Sequence, residues 1–298
     1  MTTHNITDAP YSQNGQAILL RRASVASVLV ACCLLLIKLL AWGATGSVSL
    51  LATFVDSLLD ALASLINLVA VSIALKPPDK HHPFGHGKAE PLATLVQSAF
   101  IAGSVLFLLL SASEHIRTGR TMEESQLALI IMVFSTCLTF CLICYQAWVV
   151  RKTGSTAIAA DSMHYRVDLL TNLGVIAALL LAPLGYSLAD PLIGIAIGIY
   201  MLFSVAKVAW HAVELLMDHA MPPEKEQLIC RKVLALEQVK GIHNLRTRMS
   251  GTCPVIQFDL DLDGHLSLTD AHAIGKQAHY ALQEAIPGAD ITIHLDPA

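Results

Sequence analysis

Charged residues are scarce in this chain: Asp, Glu, Lys and Arg make up 14% of its 298 residues, and the net charge is −4. Hydrophobic residues make up 54%, and the mean hydropathy is +0.59. This profile excludes an ordinary soluble domain. The slightly acidic balance, without a basic surface interleaved with aromatic residues, indicates no nucleic-acid partner. The composition instead indicates a protein of the lipid bilayer.

Two further features are missing. Residues 1–17 are polar and lack the apolar core and cleavage site of a secretory signal, so we expect the first apolar stretch to be retained as a membrane anchor. The seven cysteines do not form a disulfide framework, because five of them lie inside apolar stretches. Cys141 and Cys144 match a CxxC motif. Small packing residues of a membrane helix account for them most simply, and a soft-metal or redox role is the alternative.

Six apolar stretches stand out, each close to or longer than the roughly 20 residues that cross a hydrocarbon core. They cover about residues 23–42, 49–75, 90–113, 125–150, 157–182 and 190–213. After Met221-Pro222-Pro223 the charge density becomes ordinary. The sequence therefore predicts an N-terminal tail (1–17), an all-α bundle of six transmembrane helices (18–220) and a small soluble domain (221–298).

Basic residues indicate the orientation, because they concentrate in cytoplasmic loops. With the N-terminus inside, the cytoplasmic segments carry Arg21, Arg22, Lys76, Lys80, Lys88, Arg151 and Lys152. The outside loops carry Arg117 and Arg120, which are offset by Glu114, Glu123 and Glu124. Both termini and the soluble domain are thus predicted to be cytoplasmic.

Ionisable residues inside two apolar stretches are the strongest functional signal. Asp56 and Asp60, and likewise His164 and Asp168, are spaced i,i+4 and so share one helix face. Such groups are costly in a bilayer and normally mark a substrate or ion pathway. Three carboxylates and one imidazole suit a divalent cation. The alternative is a structural polar cluster neutralised by protons. Because metal needs deprotonated ligands, protons and metal would compete for the site, which is sufficient for antiport.

A second cluster lies in the loop KPPDKHHPFGHGKAE, residues 76–90. Asp79, His82 and His86 follow one another at offsets of three and four, with His81 as a fourth candidate. A turn-rich segment can bring them together. Histidine tracts in cytoplasmic loops are also common as solvated features, but the spacing favours a second metal site.

The soluble domain has the order helix–strand–strand–helix–strand, which predicts an open-faced α/β sandwich. The strand 255–263 alternates apolar residues with polar ones, and the closing run ITIHLDPA does the same. Ser267 with Asp270 predicts a helix start between them. If the polar face of the sheet is exposed, five residues could converge on one or two metals: His243, Asp259, His272, His294 and Asp296. Surface histidines without a ligand are the alternative.

These motifs together resemble the cation diffusion facilitator family, and within it the bacterial zinc and ferrous-iron exporters of the YiiP/FieF type. The resemblance runs from about residue 20 to the C-terminus. It is carried by SLLATFVDSLLDALAS, HPFGHGKAEPLA, ADSMHYRVDLLTN, HNLRTR and IHLDP. It implies a homodimer in the bacterial inner membrane, a metallochaperone-like (ferredoxin-like) cytoplasmic domain, and export of Zn²⁺ in exchange for protons, with Fe²⁺ and Cd²⁺ as other substrates.

The resemblance also implies residue roles. Asp56, Asp60, His164 and Asp168 correspond to the transport site, and Asp79, His82 and His86 to a loop site. His243, His272, His294 and Asp296 correspond to metal sites at the dimer interface, with Asp296 as a bridge between two ions. Lys88 corresponds to an interlocking lysine, and Asp218 to its salt-bridge partner.

Two positions depart from the family pattern. Asp259 stands where the resemblance implies a histidine, and Leu295 stands where it implies a polar residue. Aspartate is a harder ligand than imidazole, so we expect a weaker or differently coordinated ion in the soluble domain. A membrane metal sensor that binds without transporting is an alternative function. A membrane metalloenzyme is another, but no HExxH motif occurs.

Overall fold

The computed structural model describes residues 11–45, 48–118, 126–181 and 189–298. The described residues up to Leu216 contain six long helices: α1 Tyr11–Thr45, α2 Val48–Ala74, α3 Ala89–Thr118, α4 Gln126–Thr153, α5 Thr156–Leu181 and α6 Ala189–Leu216. In the bundle, α5 packs against α2, α3 and α4. The helical transmembrane region of the prediction is therefore present.

Five of these helices are long and apolar enough to cross a membrane, counted over the described residues. They are α1, α2, α3, α4 and α6. The helix α5 is not among them, and its first half carries Asp161, His164, Arg166 and Asp168. The predicted number of six spans is thus supported for five helices by length and composition, and α5 departs because it carries the polar residues of the candidate site.

The C-terminal part forms a small mixed sheet with two helices. Its elements are α7 Pro223–Leu234, β1 Gly241–Ser250, β2 Cys253–Leu262, α8 Leu268–Ala285 and β3 Asp290–Pro297. The strand order is β1-β2-β3, with β1 antiparallel and β3 parallel to β2, so α8 is the crossover between two parallel strands. This is the predicted element order.

The predicted alternation along β2 is confirmed. Ile256, Phe258, Leu260 and Leu262 are at most 3% exposed and pack against α8 residues such as Leu282 in one core. Because successive strand residues point to opposite faces, the acidic residues between them lie on the face away from α8. That face is where the polar candidates of the soluble domain meet.

The chain separates into two compact units. One includes residues 19–76 and 89–213, and the other includes residues 77–88 and 214–298. The interhelical loop thus belongs to the same unit as the small sheet. The predicted boundaries at residues 17 and 220 stay predictions.

Candidate metal centres

The candidate metal ligands of α2 and α5 lie close together in the helical bundle. His164 Nε2 lies 2.8 Å from Asp60 Oδ1 and 4.0 Å from Asp168 Oδ2. Ligand atoms of these three residues all lie within 4.8 Å of one another, and His164 is buried. Asp56 lies one turn before Asp60 on α2, but its side chain is outside the described part of the structure. Two carboxylates and one imidazole thus converge between two helices that are distant in sequence.

Tyr165 holds this part of α5 in place. Its hydroxyl lies 2.8 Å from Ser64 Oγ on α2 and donates to the carbonyl oxygen of Ser27 on α1 at 3.2 Å. Its ring meets the His164 ring edge to face, with centroids 5.6 Å apart. The side chain is 1% exposed. The position of α5 beside His164 is therefore supported by contacts with α1 and α2.

A buried carboxylate that the sequence reasoning missed lies one turn before His164. Asp161 is fully buried on α5. Its Oδ2 accepts from Ser27 Oγ at 2.5 Å and from Gln146 Nε2 at 2.6 Å, and its Oδ1 accepts from Gln97 Nε2 at 3.0 Å. These donors belong to α1, α4 and α3. The signal was available, because Asp161 stands three residues before His164 in the same polar run.

Glu90, in the first turn of α3, was also missed as a site residue, and its side chain contacts the start of α5. It is 4% exposed, and its Oε1 accepts from Ser155 Oγ at 2.5 Å and from the backbone N–H of Ala157 at 3.2 Å. A carboxylate is favourable at a helix N-terminus, where backbone N–H groups lack partners. Glu90 thus anchors the start of the helix that carries His164 and Asp168.

The candidate metal ligands of the loop between α2 and α3 also lie close together. Asp79 Oδ1 lies 3.4 Å from His82 Nδ1, and Asp79 Oδ2 lies 3.4 Å from His86 Nε2. The two imidazole rings are 4.4 Å apart, and Gly85 turns the chain between them with a φ of 79°. The side chain of His81 is exposed and is not in this group. The donor set of one carboxylate and two imidazoles fits a divalent metal.

Hydrogen bonds set the charge of Asp79. Its Oδ1 accepts from the backbone N–H groups of His82 at 2.7 Å and His81 at 2.8 Å. These bonds, above all the one from His82, hold the pKa of the Asp79 carboxyl below its usual value of 3.8. The loop site therefore contains a carboxylate that stays ionised at neutral pH.

Lys88 and Asp218 form an ion pair within one chain. Lys88 Nζ lies 3.0 Å from Asp218 Oδ1 and also donates to the carbonyl oxygen of Leu216 at 3.2 Å. Arg248 is a second cation on this carboxylate, at 3.4 Å, and its guanidinium lies over the Phe84 ring. The sequence reasoning missed Arg248. The end of α6, the loop and β1 are thus joined through one aspartate.

The candidates of the sheet meet across its three strands. The pairing places His243 of β1 opposite Asp259 of β2, and Asp259 beside His294 of β3. His243 Nε2 lies 3.6 Å from Asp259 Oδ2 and 3.4 Å from Asp296 Oδ2. His294 Nε2 lies 3.1 Å from Asp296 Oδ1. Asp296 is thus placed between the two histidines.

The structure adds one residue to the predicted set and leaves one prediction as it stood. His272 is exposed on α8 and is not in the cluster of His243, Asp259 and Asp296 within one chain, so its role stays a prediction. Asp261, which was not predicted, lies 3.0 Å from His243 Nδ1 and opposite Asp296 in the strand register. Its place in the alternation, two residues after Asp259, was the signal that could have identified it.

Fold and sites together define a class of protein: a multi-pass membrane protein with donor sets for divalent metal in its helical bundle and in its soluble part. Family models agree. Residues 24–217 match the cation efflux transmembrane domain, and residues 221–298 match the cytoplasmic domain of cation efflux proteins.

The most similar relatives include the cation-efflux pump FieF of Serratia proteamaculans, 45% identical over 94% of each chain. The cation-efflux pump FieF of Citrobacter koseri is 44% identical over 94% of this chain and 93% of that protein. Among solved structures, the metal-bound C-terminal domain of the CzcD transporter from Thermotoga maritima is 26% identical, with a TM-score of 0.24. It covers 26% of this chain and 94% of that chain.

The chain belongs to the cation efflux family of membrane transporters, which export divalent metal cations. The predicted resemblance to cation diffusion facilitators is confirmed. The family consists of transporters rather than enzymes.

Proposed function

We propose that this protein is a proton-coupled antiporter that exports Zn²⁺ from the cytoplasm, with Fe²⁺ and Cd²⁺ as further substrates. The observation that carries the proposal is the contact of His164 with Asp60 and Asp168 between α2 and α5. Asp56, one turn from Asp60, completes the proposed transport site. Mixed carboxylate and imidazole ligands suit zinc at four-coordinate geometry.

Proton coupling follows from the ligand chemistry. Carboxylates and imidazole bind metal only when deprotonated, so a proton that enters the site displaces the metal. With both termini in the cytoplasm of a bacterium and the protein in the inner membrane, the metal is loaded from the inside. Protons from the outer side then release it. The transmembrane helices change conformation so that the site opens alternately to the cytoplasm and to the outer side. A site open to both sides at once would let metal and protons pass without coupling.

The loop and sheet clusters serve regulation in this proposal. Metal at Asp79, His82 and His86, and metal at His243, Asp259, His294 and Asp296, would favour one conformation of a homodimer by differential affinity. The Lys88–Asp218 pair would stabilise that conformation. His272 remains a predicted ligand without a partner cluster in the single chain.

Zinc flux into proteoliposomes under an imposed pH gradient, with internal pH recorded at the same time, tests the proposal. Zinc uptake matched by counter-moving protons is expected for the wild type. Asp60→Asn should abolish both fluxes because it removes a ligand charge. Asp263→Asn, an exposed aspartate of the soluble domain, is the matched control and should transport normally.

A membrane sensor is the second function that the ligand clusters allow. Such a protein would bind zinc at Asp60 without moving it. Asp60-dependent binding with no flux in sealed vesicles would replace the antiporter with this sensor. Flux of iron without flux of zinc would keep the mechanism and change the substrate.

A further inference from the structure

The first membrane helix contains a lysine, Lys38, to which the proposed transport mechanism assigns no role. Lys38 lies within the apolar stretch Gly15–Gly43 of α1. Lysines near helix ends commonly extend toward the membrane surface. Lys38 instead points into the bundle, where its Nζ donates to Ser57 Oγ on α2 at 2.6 Å, and Ser57 is 2% exposed. An intramembrane cation with an inward partner is costly and calls for a functional explanation.

Ser57 connects this lysine to the transport site. It follows Asp56 directly and precedes Asp60 by three residues, so Ser57 and Asp60 are neighbours on α2. The hydrogen bond therefore holds the Lys38 ammonium beside the segment that carries the two α2 carboxylates. Arg166, the basic residue of α5, is exposed.

The charge of Lys38 acts oppositely on the empty and the loaded site. Without metal, the ammonium offsets part of the negative charge of the carboxylates. With metal, the same ammonium repels a divalent cation, and this repulsion is weakly screened inside a bundle of low dielectric. A fixed cation at this position thus favours the empty site over the loaded one.

We propose that Lys38 is a resident counter-cation that weakens metal binding at the transport site and speeds metal release. This inference rests on the proposed function of the Asp60 and His164 cluster. With the N-terminus in the cytoplasm, Lys38 and Ser57 lie on the outer side of Asp60, because α1 ends and α2 begins on that side. Lys38 therefore stands next to the exit path, where release occurs. It is a positioning and charge-setting residue, not a metal ligand.

Lys38→Met tests the charge, because methionine keeps an unbranched side chain and removes the ammonium. Lys38→Gln is a second neutral variant that retains a donor for Ser57, in case the first fails to fold. Lys38→Arg retains the charge. Lys207→Met is the matched control, since Lys207 is an exposed lysine of α6 whose Nζ lies 4.4 Å from the Phe203 ring centroid.

Two quantities are measured on the full chain in lipid nanodiscs and proteoliposomes. The first is the zinc Kd of the binding that Asp60→Asn removes, which separates the transport site from the loop and sheet sites. The second is the KM and kcat of zinc flux. We expect the neutral variants to tighten the Kd by about tenfold and to lower KM and kcat together. Lys38→Arg and Lys207→Met should stay within about twofold of the wild type.

The outcomes separate this inference from the proposed function. An unchanged Kd in folded Lys38→Gln, with only a lower melting temperature, would mean that Lys38 is structural and would overturn the inference. A weaker Kd would overturn it as well, because it would make Lys38 a support of the loaded site. If wild-type flux is absent, the antiport proposal fails, while the Kd comparison still decides the role of Lys38.

Discussion

At the scale of single residues, the buried carboxylates of the helical bundle have two kinds of surroundings. Asp161 is fully buried, and its two carboxyl oxygens accept hydrogen bonds from three donors on three helices. Asp60 and Asp168 face an imidazole instead, and their exposed fractions are 15% and 31%. Because hydrogen bonds occupy both oxygens of Asp161, it stabilises the helix bundle, whereas Asp60 and Asp168 offer ligand atoms within 4.8 Å of those of His164.

Asp161→Ala should destabilise the bundle, because it removes an acceptor shared by three buried donors. Ser27 and Gln146 keep other acceptors, so Gln97 is the donor that loses its hydrogen bond outright. A buried donor left without a partner costs about 1–3 kcal/mol, and we expect a loss of that size. The melting temperature in nanodiscs measures this loss. Asp263→Ala is the control at an exposed position, and equal melting temperatures for both variants would contradict the structural role of Asp161.

Asp79 makes the loop depend on pH in a defined direction. Its folded pKa lies below 3.8, so the stability it contributes is fully present above 3.8 and is lost as the pH falls through the lower folded value. The backbone amides of His81 and His82 should therefore keep constant hydrogen-exchange protection from pH 5 to 8. Asp79→Ala should remove this protection, while Asp79→Asn, which keeps an acceptor oxygen, should retain part of it. Protection that already falls between pH 7 and 5 would show that another group controls the turn.

At the scale of elements, helix starts position the candidate residues. α5 begins against Glu90, and α8 begins at Ser267, whose side chain accepts from the backbone N–H of Asp270 at 3.2 Å. Such N-terminal contacts fix the rotation of a helix about its axis, because they satisfy particular backbone groups. In α5 this rotation determines which face carries His164.

Ser267→Ala should destabilise the soluble part by about 1 kcal/mol, the usual cost of losing an N-cap side chain. Hydrogen exchange of the α8 backbone in the full chain measures the effect, since faster exchange is expected across its first turns. Thr269→Ala, at an exposed position of the same turn, is the matched control. If both variants exchange alike, the Ser267 cap does not determine the start of α8.

At the scale of the whole molecule, the sites belong to different compact units. Asp60, His164 and Asp168 lie in the helical unit, whereas the loop and sheet clusters lie in the other. The metal ligands of one unit can therefore be mutated while the ligands of the other unit are kept. This separation allows transport and metal sensing to be tested independently.

Zinc should stabilise the soluble part through the sheet cluster even when transport is abolished. A ligand at 100 times its Kd adds about 2.7 kcal/mol to the free energy of unfolding. Asp60→Asn should keep this zinc-dependent rise in melting temperature, and a chelator should remove it. His243→Ala should lose it, because His243 contacts both Asp259 and Asp296. His265→Ala, an exposed histidine outside the cluster, is the control; an equal loss there would contradict the assignment.

Much of the site was predictable because it follows local periodicity. The i,i+4 spacing of His164 and Asp168, and the alternation around Asp259, determine which side chains share a face once the helix or strand forms. Asp161, Asp261 and Arg248 were missed although they stand beside predicted residues. Their roles depend on partners from other elements, such as Gln97 for Asp161 and Asp218 for Arg248, and no spacing along the chain pairs these residues.

The membrane class, the order of helices and strands, and the ligand pairs within each element follow from composition and local periodicity, because backbone geometry imposes fixed periods on neighbouring residues. The contact of Asp60 with His164, the enclosure of Asp161 by donors and the hydrogen bond from Lys38 to Ser57 depend on the folded structure. Each of these contacts joins different helices. Packing between elements determines such distances, and no spacing along the chain encodes them.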